Sequence, residues 1–494
     1  MGIDINLMPL VAVLVSLAAA ILIVLSSRSP NIRELWTILA GAVKFGAVLL
    51  MLPYVLAGAS PEVTLLQISP GVSLALKADM LGTAFALSAS ALWIATSFYS
   101  IGYTRSEGMK KQTRYYASFC VCMSSAMGMS FAANLLTFLI FYEVLTIATY
   151  PLVIHKESPE AIAAGRKYLF YLLTGGMVLT VAVALTYVYA GSLDFKAGGF
   201  LSSSLGQESL MLLAMLYIIG CGFKAGLMPL HGWLPTAMIA PSPVSGLLHA
   251  VAVVKAGVFG ILRTVGFVFG PTLFYNIGAA NIVAIIAAIT ILFSSLLAFG
   301  QDNIKRRLAY STVCHLSYIV LGVTLLSPSG WTGSVLELVF HAAGKITLFL
   351  CAGAIMVKTG IEKVSELDGV GRQMPITMGA FAIGTLGLSG LPPIAGFISK
   401  WFLGTGMMEV HEPVLLAIFL LSDLLTVGYL FPILLRSFFV PSRRFTKFGE
   451  ASPFMVVPLV ITALLSLIWG LAPNAIFHFY TLASRIAMSL LGGS

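Results

Sequence analysis

Residues 334–357 read SVLELVFHAAGKITLFLCAGAIMV. As a helix rising about 1.5 Å per residue, this run can cross the roughly 30 Å of hydrocarbon in a bilayer. Three titratable residues interrupt it: Glu337, His341 and Lys345. Their i, i+4, i+8 spacing puts all three on one helix face, each about 6 Å along the axis from the next. A charge near the bilayer centre costs roughly 2.5–3.5 kcal/mol on insertion scales. Residues that costly face the interior of a helix bundle, pair with one another and mark an ion path. The stripe is therefore read as a proton wire. The plainer alternative is a self-satisfied polar seam between helices.

The rest of the chain sets that helix in a membrane. Of 494 residues, 59% are hydrophobic and only 10% charged, where soluble domains carry about 25% charged residues. Apolar runs recur along the whole length without the alternation of membrane strands. They predict an all-α integral membrane protein of about fourteen transmembrane helices. The expected spans are 7–26, 35–57, 80–101, 115–133, 135–154, 166–190, 210–228, 244–265, 277–299, 307–326, 334–357, 376–397, 414–436 and 454–472. A weaker stretch at 475–490 reads as a short interfacial helix. Glu62 to Lys77, around Pro70 and Gly71, reads as an extended excursion outside the membrane, a small hairpin. The first run lacks a basic n-region and is read as a retained helix rather than a signal peptide. No soluble domain is expected.

Basic residues set the orientation. With the N-terminus outside, nineteen Lys and Arg fall in loops facing the cytoplasm, among them Arg105, Lys156, Arg306, Arg443 and Arg444. Only Lys77, Lys196, Arg263 and Arg485 fall on the outer side. Both termini are therefore expected outside, in a prokaryotic inner membrane. The net charge of +9 is explained by this bias and not by nucleic acid. Cys120, Cys122, Cys221, Cys314 and Cys351 lie in apolar runs. None of their spacings suits zinc or an iron–sulfur cluster, so neither a metal, a cofactor nor a redox centre is expected.

Five lysines remain in or beside spans: Lys44, Lys224, Lys255, Lys345 and Lys400. With them are Glu143, Glu337, Asp423, His249, His315 and His341. Lys224 lies in CGFKAGLMPLHGWLP (221–235) and Lys400 ends GLSGLPPIAGFISK (387–400). The glycines and prolines there break a helix, and the freed carbonyls tolerate membrane depth only against protein or water. Two such breaks, each in the fourth span of a five-span unit, point to inverted repeats. The chain then divides into an N-terminal three-helix segment (1–114), a first repeat (115–265), a second repeat (266–440) and a C-terminal helix and tail (441–494). His249 and Lys255, six apart, fall on different faces of one span but can border one cavity. Lys44 can snorkel, and a lone buried histidine such as His315 is more often simply hydrogen-bonded.

At these residues the chain resembles a known family, the antiporter-like subunits of respiratory complex I, of Mrp-type sodium/proton antiporters and of membrane-bound hydrogenases. The stretches that carry the resemblance are FYEVLTIATYPLV (141–153), GFKAGLMPLHGWLPTAM (222–238), APSPVSGLLHAVAVVKAGVFGILR (240–263), QDNIKRRLAYSTVCHLSYI (301–319), FHAAGKITLFLCAG (340–353) and GLPPIAGFISK. They cover most of the chain from Asp79 to Val440. The resemblance implies fourteen helices with two inverted five-helix repeats and two broken helices. It implies that Glu143 pairs with Lys224, that His249 and Lys255 form an eighth-helix relay, that His341 and Lys345 form an HxxxK pattern, and that Lys400 is the exit residue. Some members of the family carry a histidine where this chain has Glu337. The chain stops soon after the fourteenth span, so the long lateral helix of the largest complex I member is not expected. That favours a D-type Mrp subunit, a middle complex I subunit or a hydrogenase-associated relative.

The reading that follows is a proton-translocating subunit of a larger complex. Its catalytic line would be Glu143, Lys224, His249, Lys255, Glu337, His341, Lys345 and Lys400. Partner redox chemistry or cation exchange would drive it, with sodium as a second candidate ion. Its partners would be other antiporter-like and small membrane subunits within the lipid bilayer. A self-contained secondary transporter for a cation or small solute is the alternative, although no further polar cluster suited to an organic substrate stands out.

Overall fold

A computed structural model describes residues 4–492, apart from the side chains of Leu248 and His249. Its helices are α1 (Met8–Leu25), α2 (Pro30–Leu56), α3 (Met80–Ser106), α4 (Gln112–Ser130), α5 (Leu135–Val153), α6 (Pro159–Ala190), α7 (Gln207–Ala225), α8 (Ser242–Ala250), α9 (Val253–Arg263), α10 (Pro271–Asn276), α11 (Ala279–Phe299), α12 (Ile304–Thr324), α13 (Pro328–Thr359), α14 (Val370–Gln373), α15 (Pro375–Leu388), α16 (Ala395–Glu409), α17 (Pro413–Phe439), α18 (Pro453–Leu471) and α19 (Phe479–Leu491). Ten helical segments among the described residues are long and apolar enough to span a bilayer. The four other expected spans fall on α4, on α12, on the α8–α9 pair and on the α15–α16 pair. α4 is rich in Ser, Thr and Tyr, α12 opens on Lys305, Arg306 and Arg307, and the two pairs are split helices.

Proline at the first turn and Ser or Asn caps start many of these helices, where a missing or capped N–H costs least. Ser158 caps α6, Asn134 caps α5, Asn303 caps α12 and Ser327 caps α13. The outer helices turn large apolar residues outward, among them Ile21, Phe170 and Leu424. That is the surface a lipid-facing helix presents. At the centre runs α13, whose core window is wholly buried, packed by α3, α8, α12, α15, α16, α18 and α19.

The excursion before α3 is the expected hairpin. β1 (Glu62–Ser69) pairs antiparallel with β2 (Val72–Lys77), with Glu62 opposite Lys77. Gly71, at φ +74°, turns it against the end of α6, where a Cβ would meet the Gly191 carbonyl oxygen at 2.4 Å.

The structure departs from the expected spans at two places. Residues 244–265 do not form one helix: the backbone breaks at Val251 and Ala252, between α8 and α9. The helical spacing argued for His249 and Lys255 therefore does not hold across the break. The span expected at 376–397 is two helices, and Lys400 lies in the second turn of α16 rather than at the end of the break. The C-terminal stretch forms α19, which buries Phe479, Leu482, Ile486 and Leu490 along one face, packed on α13 and α3.

Candidate functional site

Lys224 lies in the last turn of α7, wholly buried. Gly226, at φ +76°, ends that helix, and the chain winds through short turns to α8. The Lys224 ammonium donates to the backbone carbonyl of Tyr142 on α5. It sits 3.3 Å from the centroid of the Tyr142 ring, whose hydroxyl donates in turn to the Gly220 carbonyl at 3.1 Å. Glu143 is the next residue on α5, turned about 100° away. Its carboxylate packs on Gly176 of α6, where a Cβ would meet Oε1 at 1.9 Å. Oε1 is buried and makes no hydrogen bond. Glu143 and Lys224 are thus neighbours that feel each other's charge, but the direct ion pair implied by the resemblance is not formed. The amine takes the carbonyl beside Glu143 instead.

Gly257 of α9 packs against Ala225, where a Cβ would meet the backbone nitrogen at 2.2 Å. The turn carrying Lys255 therefore lies directly on the end of α7. The Lys255 amine is buried with no protein hydrogen bond and lies within electrostatic range of Glu337. His249 is on α8, and its side chain lies outside the described residues.

Glu337 anchors the second group. Its Oε1 lies 2.9 Å from His315 Nδ1 on α12, and its Oε2 accepts from Ser399 Oγ on α16 at 2.5 Å. The His315 and His341 rings stack with centroids 5.0 Å apart. Lys345 donates to the Leu308 carbonyl on α12 at 2.9 Å. The three residues of the α13 stripe thus face α12 together, as their spacing requires. His315 Nε2 and both ring nitrogens of His341 are buried without protein partners. Such atoms are commonly served by ordered water.

The third group closes the line. Lys400 donates to Asp423 on α17. It also donates, at 2.5 Å, to the Leu388 carbonyl, which the break after α15 frees. Gly390, at φ +66°, makes room for it: a Cβ there would meet Lys400 Cδ at 2.7 Å. The Tyr318 hydroxyl lies 2.8 Å from Ser422 Oγ and 3.1 Å from Asp423 Oδ1. His315, Tyr318, Ser399 and Asp423 thus belong with the residues singled out from sequence. His315 and Asp423 were visible as polar residues in apolar spans, but their partners lie 22 and 23 residues away on other helices. Lys44 on α2 stands apart, buried over the Trp93 ring at 4.4 Å with no hydrogen bond.

Residues 132–426 match the family described as NADH:quinone oxidoreductase/Mrp antiporter, transmembrane. The chain is 32% identical over 401 residues to NADH-quinone oxidoreductase subunit N of Desulforudis audaxviator, covering 76% of this chain and 78% of that protein. It is 34% identical over 344 residues to hydrogenase-4 component B of Escherichia coli, covering 67% of this chain but only 50% of that protein. Among solved structures, a chain of the Mrp complex from Dietzia sp. DQ12-45-1b superposes with a TM-score of 0.86 at 20% identity, covering 99% of this chain and 98% of that one. That likeness is one of fold.

Proposed function

The chain belongs to the NADH:quinone oxidoreductase/Mrp antiporter transmembrane family, and from that premise we infer that it is a proton-translocating subunit of a larger membrane complex. The observation that carries the reading is the line of buried titratable groups from α7 to α17. Of the three breaks, at the end of α7, between α8 and α9 and between α15 and α16, the first and third each hold one lysine against a backbone carbonyl, Lys224 on Tyr142 and Lys400 on Leu388. Between them stand Lys255, the Glu337–His315–His341 cluster and Lys345. The full architecture in this reading is fourteen crossings in two inverted five-helix repeats, with both termini outside. The bias of basic residues toward the loops bearing Arg105, Arg306 and Arg443 supports that orientation.

The switch is the approach and withdrawal of Glu143. Opposite unit charges 4 Å apart attract by about 4 kcal/mol at an effective dielectric of 20. A carboxylate swinging off Gly176 toward Lys224 would hold the lysine's proton, and its return would release that proton toward Lys255. From there it passes the Glu337 cluster and Lys345 to Lys400. The driving force comes from partner subunits, by redox chemistry or by cation exchange, as the multisubunit setting of the relatives suggests.

The test is proton pumping or antiport in membrane vesicles, normalised to assembled complex. Glu143→Gln and Lys224→Ala should each assemble and lose most translocation, and the double variant should lose little more than either. Near-normal pumping by an assembled single variant would sink the relay.

A further inference from the structure

Leu415, Phe419 and Asp423 are spaced i, i+4, i+8 on α17 and so share one face. Leu415 lines a cavity of about 290 Å³ with Tyr275, Asn281, Thr324, Val410 and Glu412. Tyr275, Asn281 and Glu412 are exposed at its mouth, on the side the charge bias makes the outer one. One turn inward, Phe419 is only 2% exposed. Its ring meets that of Tyr318 edge-on, with centroids 4.8 Å apart. One turn further in, Asp423 holds Lys400 and lies beside the Tyr318 hydroxyl. A cavity open at the surface, an aromatic lid and a lysine–carboxylate pair, its lysine 5% and its aspartate 17% exposed, thus follow one another along a single helix face.

We propose that Asp423 is the last proton station of the relay and that Phe419 is the plug separating it from the outer cavity. This rests on the relay reading above and adds the release step to it. With Phe419 seated on Tyr318, an N–H bond of the Lys400 ammonium breaks and an O–H bond forms on Asp423. The products are a neutral amine beside a carboxylic acid. When Phe419 swings off Tyr318, the acid gives its proton to water in the cavity and returns to carboxylate. The amine is then protonated again from the Glu337 side, whose carboxylate is tied to α16 through Ser399, the residue before Lys400. Neither Phe419 nor Asp423 supplies energy; the pair decides when the outer side is reached.

Cys314 reports on the plug from within. Its sulfur lies 3.1 Å from Ser422 Oγ, next to Asp423. In membrane vesicles bearing the assembled complex, a small charged methanethiosulfonate is added on the cavity side and modification of Cys314 is followed by peptide mass. Phe419→Ala should speed that modification several-fold, with Phe419→Leu as the substitute if the alanine variant does not assemble. An assembled variant with wild-type labelling overturns the plug. Asp423→Asn should lose most pumping while Asp423→Glu keeps most of it, and near-normal pumping by assembled Asp423→Asn overturns the station. Labelling needs no proton movement, so it judges the plug even if the relay fails. Normal pumping by Lys224→Ala would sink the relay and leave the labelling result standing.

Discussion

Gly176→Ala adds one methyl to α6 and removes no charge, yet it should strike the switch directly. The new Cβ would stand 1.9 Å from Glu143 Oε1 and 2.5 Å from its carboxyl carbon, where ordinary contact begins at 3.4 Å. The three atoms nearest to it all belong to the Glu143 carboxylate, so that carboxylate must give way. Denied its withdrawn seat, the carboxylate stays near Lys224: at an effective dielectric of 20, two unit charges held at about 4 rather than about 5.5 Å attract by about 1 kcal/mol more, so the lysine keeps its proton. That is roughly fivefold in any equilibrium it governs. Alanine is the better helix former by about 1 kcal/mol, and normalising to assembled complex separates a lost function from a lost fold. Proton translocation per assembled complex should fall roughly fivefold or more by that reasoning. The cross-check is Glu143→Asp, whose carboxylate is shorter by one bond of about 1.5 Å and no longer reaches the methyl. In the Glu143→Asp background, Gly176→Ala should cost nothing further. An equal penalty in both backgrounds, or none in the wild type, would refute the idea that Glu143 works from its seat on Gly176.

Other outcomes follow from groups away from the switch. Arg263 is 1% exposed, held by Asp79 and ringed by Phe195, Phe259 and Phe267. Arg263→Met takes the partner from Asp79, which is 23% exposed and keeps its cap on the Gly82 N–H, and should lower stability by about 1–3 kcal/mol, seen as a drop in melting temperature. Lys44→Met replaces an unpaired buried amine by an apolar chain of similar size. It should leave pumping intact and the melting temperature equal or higher, so a fall in either would reveal a partner or a role for Lys44. Glu157, in the loop before α6, is held down to about 2 by hydrogen bonds from Lys111 and Arg114. Its contribution is present above the ordinary glutamate value near 4.3 and fades as pH falls from there toward 2. Limited proteolysis of the 107–111 and 154–158 loops should therefore quicken across that window, and Glu157→Gln should flatten the dependence.

The long helices were the legible part of this molecule, because ten of them among the described residues are written as long, mainly apolar runs. The breaks near Gly226 and Gly390 were legible for a related reason: glycine and proline there punctuate a run that otherwise continues. The break at Val251–Ala252 was not, since HAVAVVKAG carries no such signal at the break. Within the site, the α13 stripe could be read because its members share one helix. The bonds His315–Glu337 and Lys400–Asp423 could not, because they join residues on different helices and depend on rotation about each axis. Glu143 shows the remaining limit. Its nearness to Lys224 was anticipated, while its seat on Gly176 depends on where α6 passes.

The central helix has a consequence for how the protein is made. The middle of α13, Gly330 to Ile355, is buried among other helices, so Glu337, His341 and Lys345 are kept from lipid in the finished fold. During synthesis that shelter is half built. α3, α8 and α12 precede it, but α15, α16, α18 and α19 are made afterwards. Three polar residues near mid-membrane make a poor candidate for release into lipid on its own. α13 must then linger at the insertion machinery, or against α12, until the later helices arrive. Chains cut after residue 360 should accordingly be degraded rather than accumulate as a stable half-protein, although they contain every helix up to and including α13.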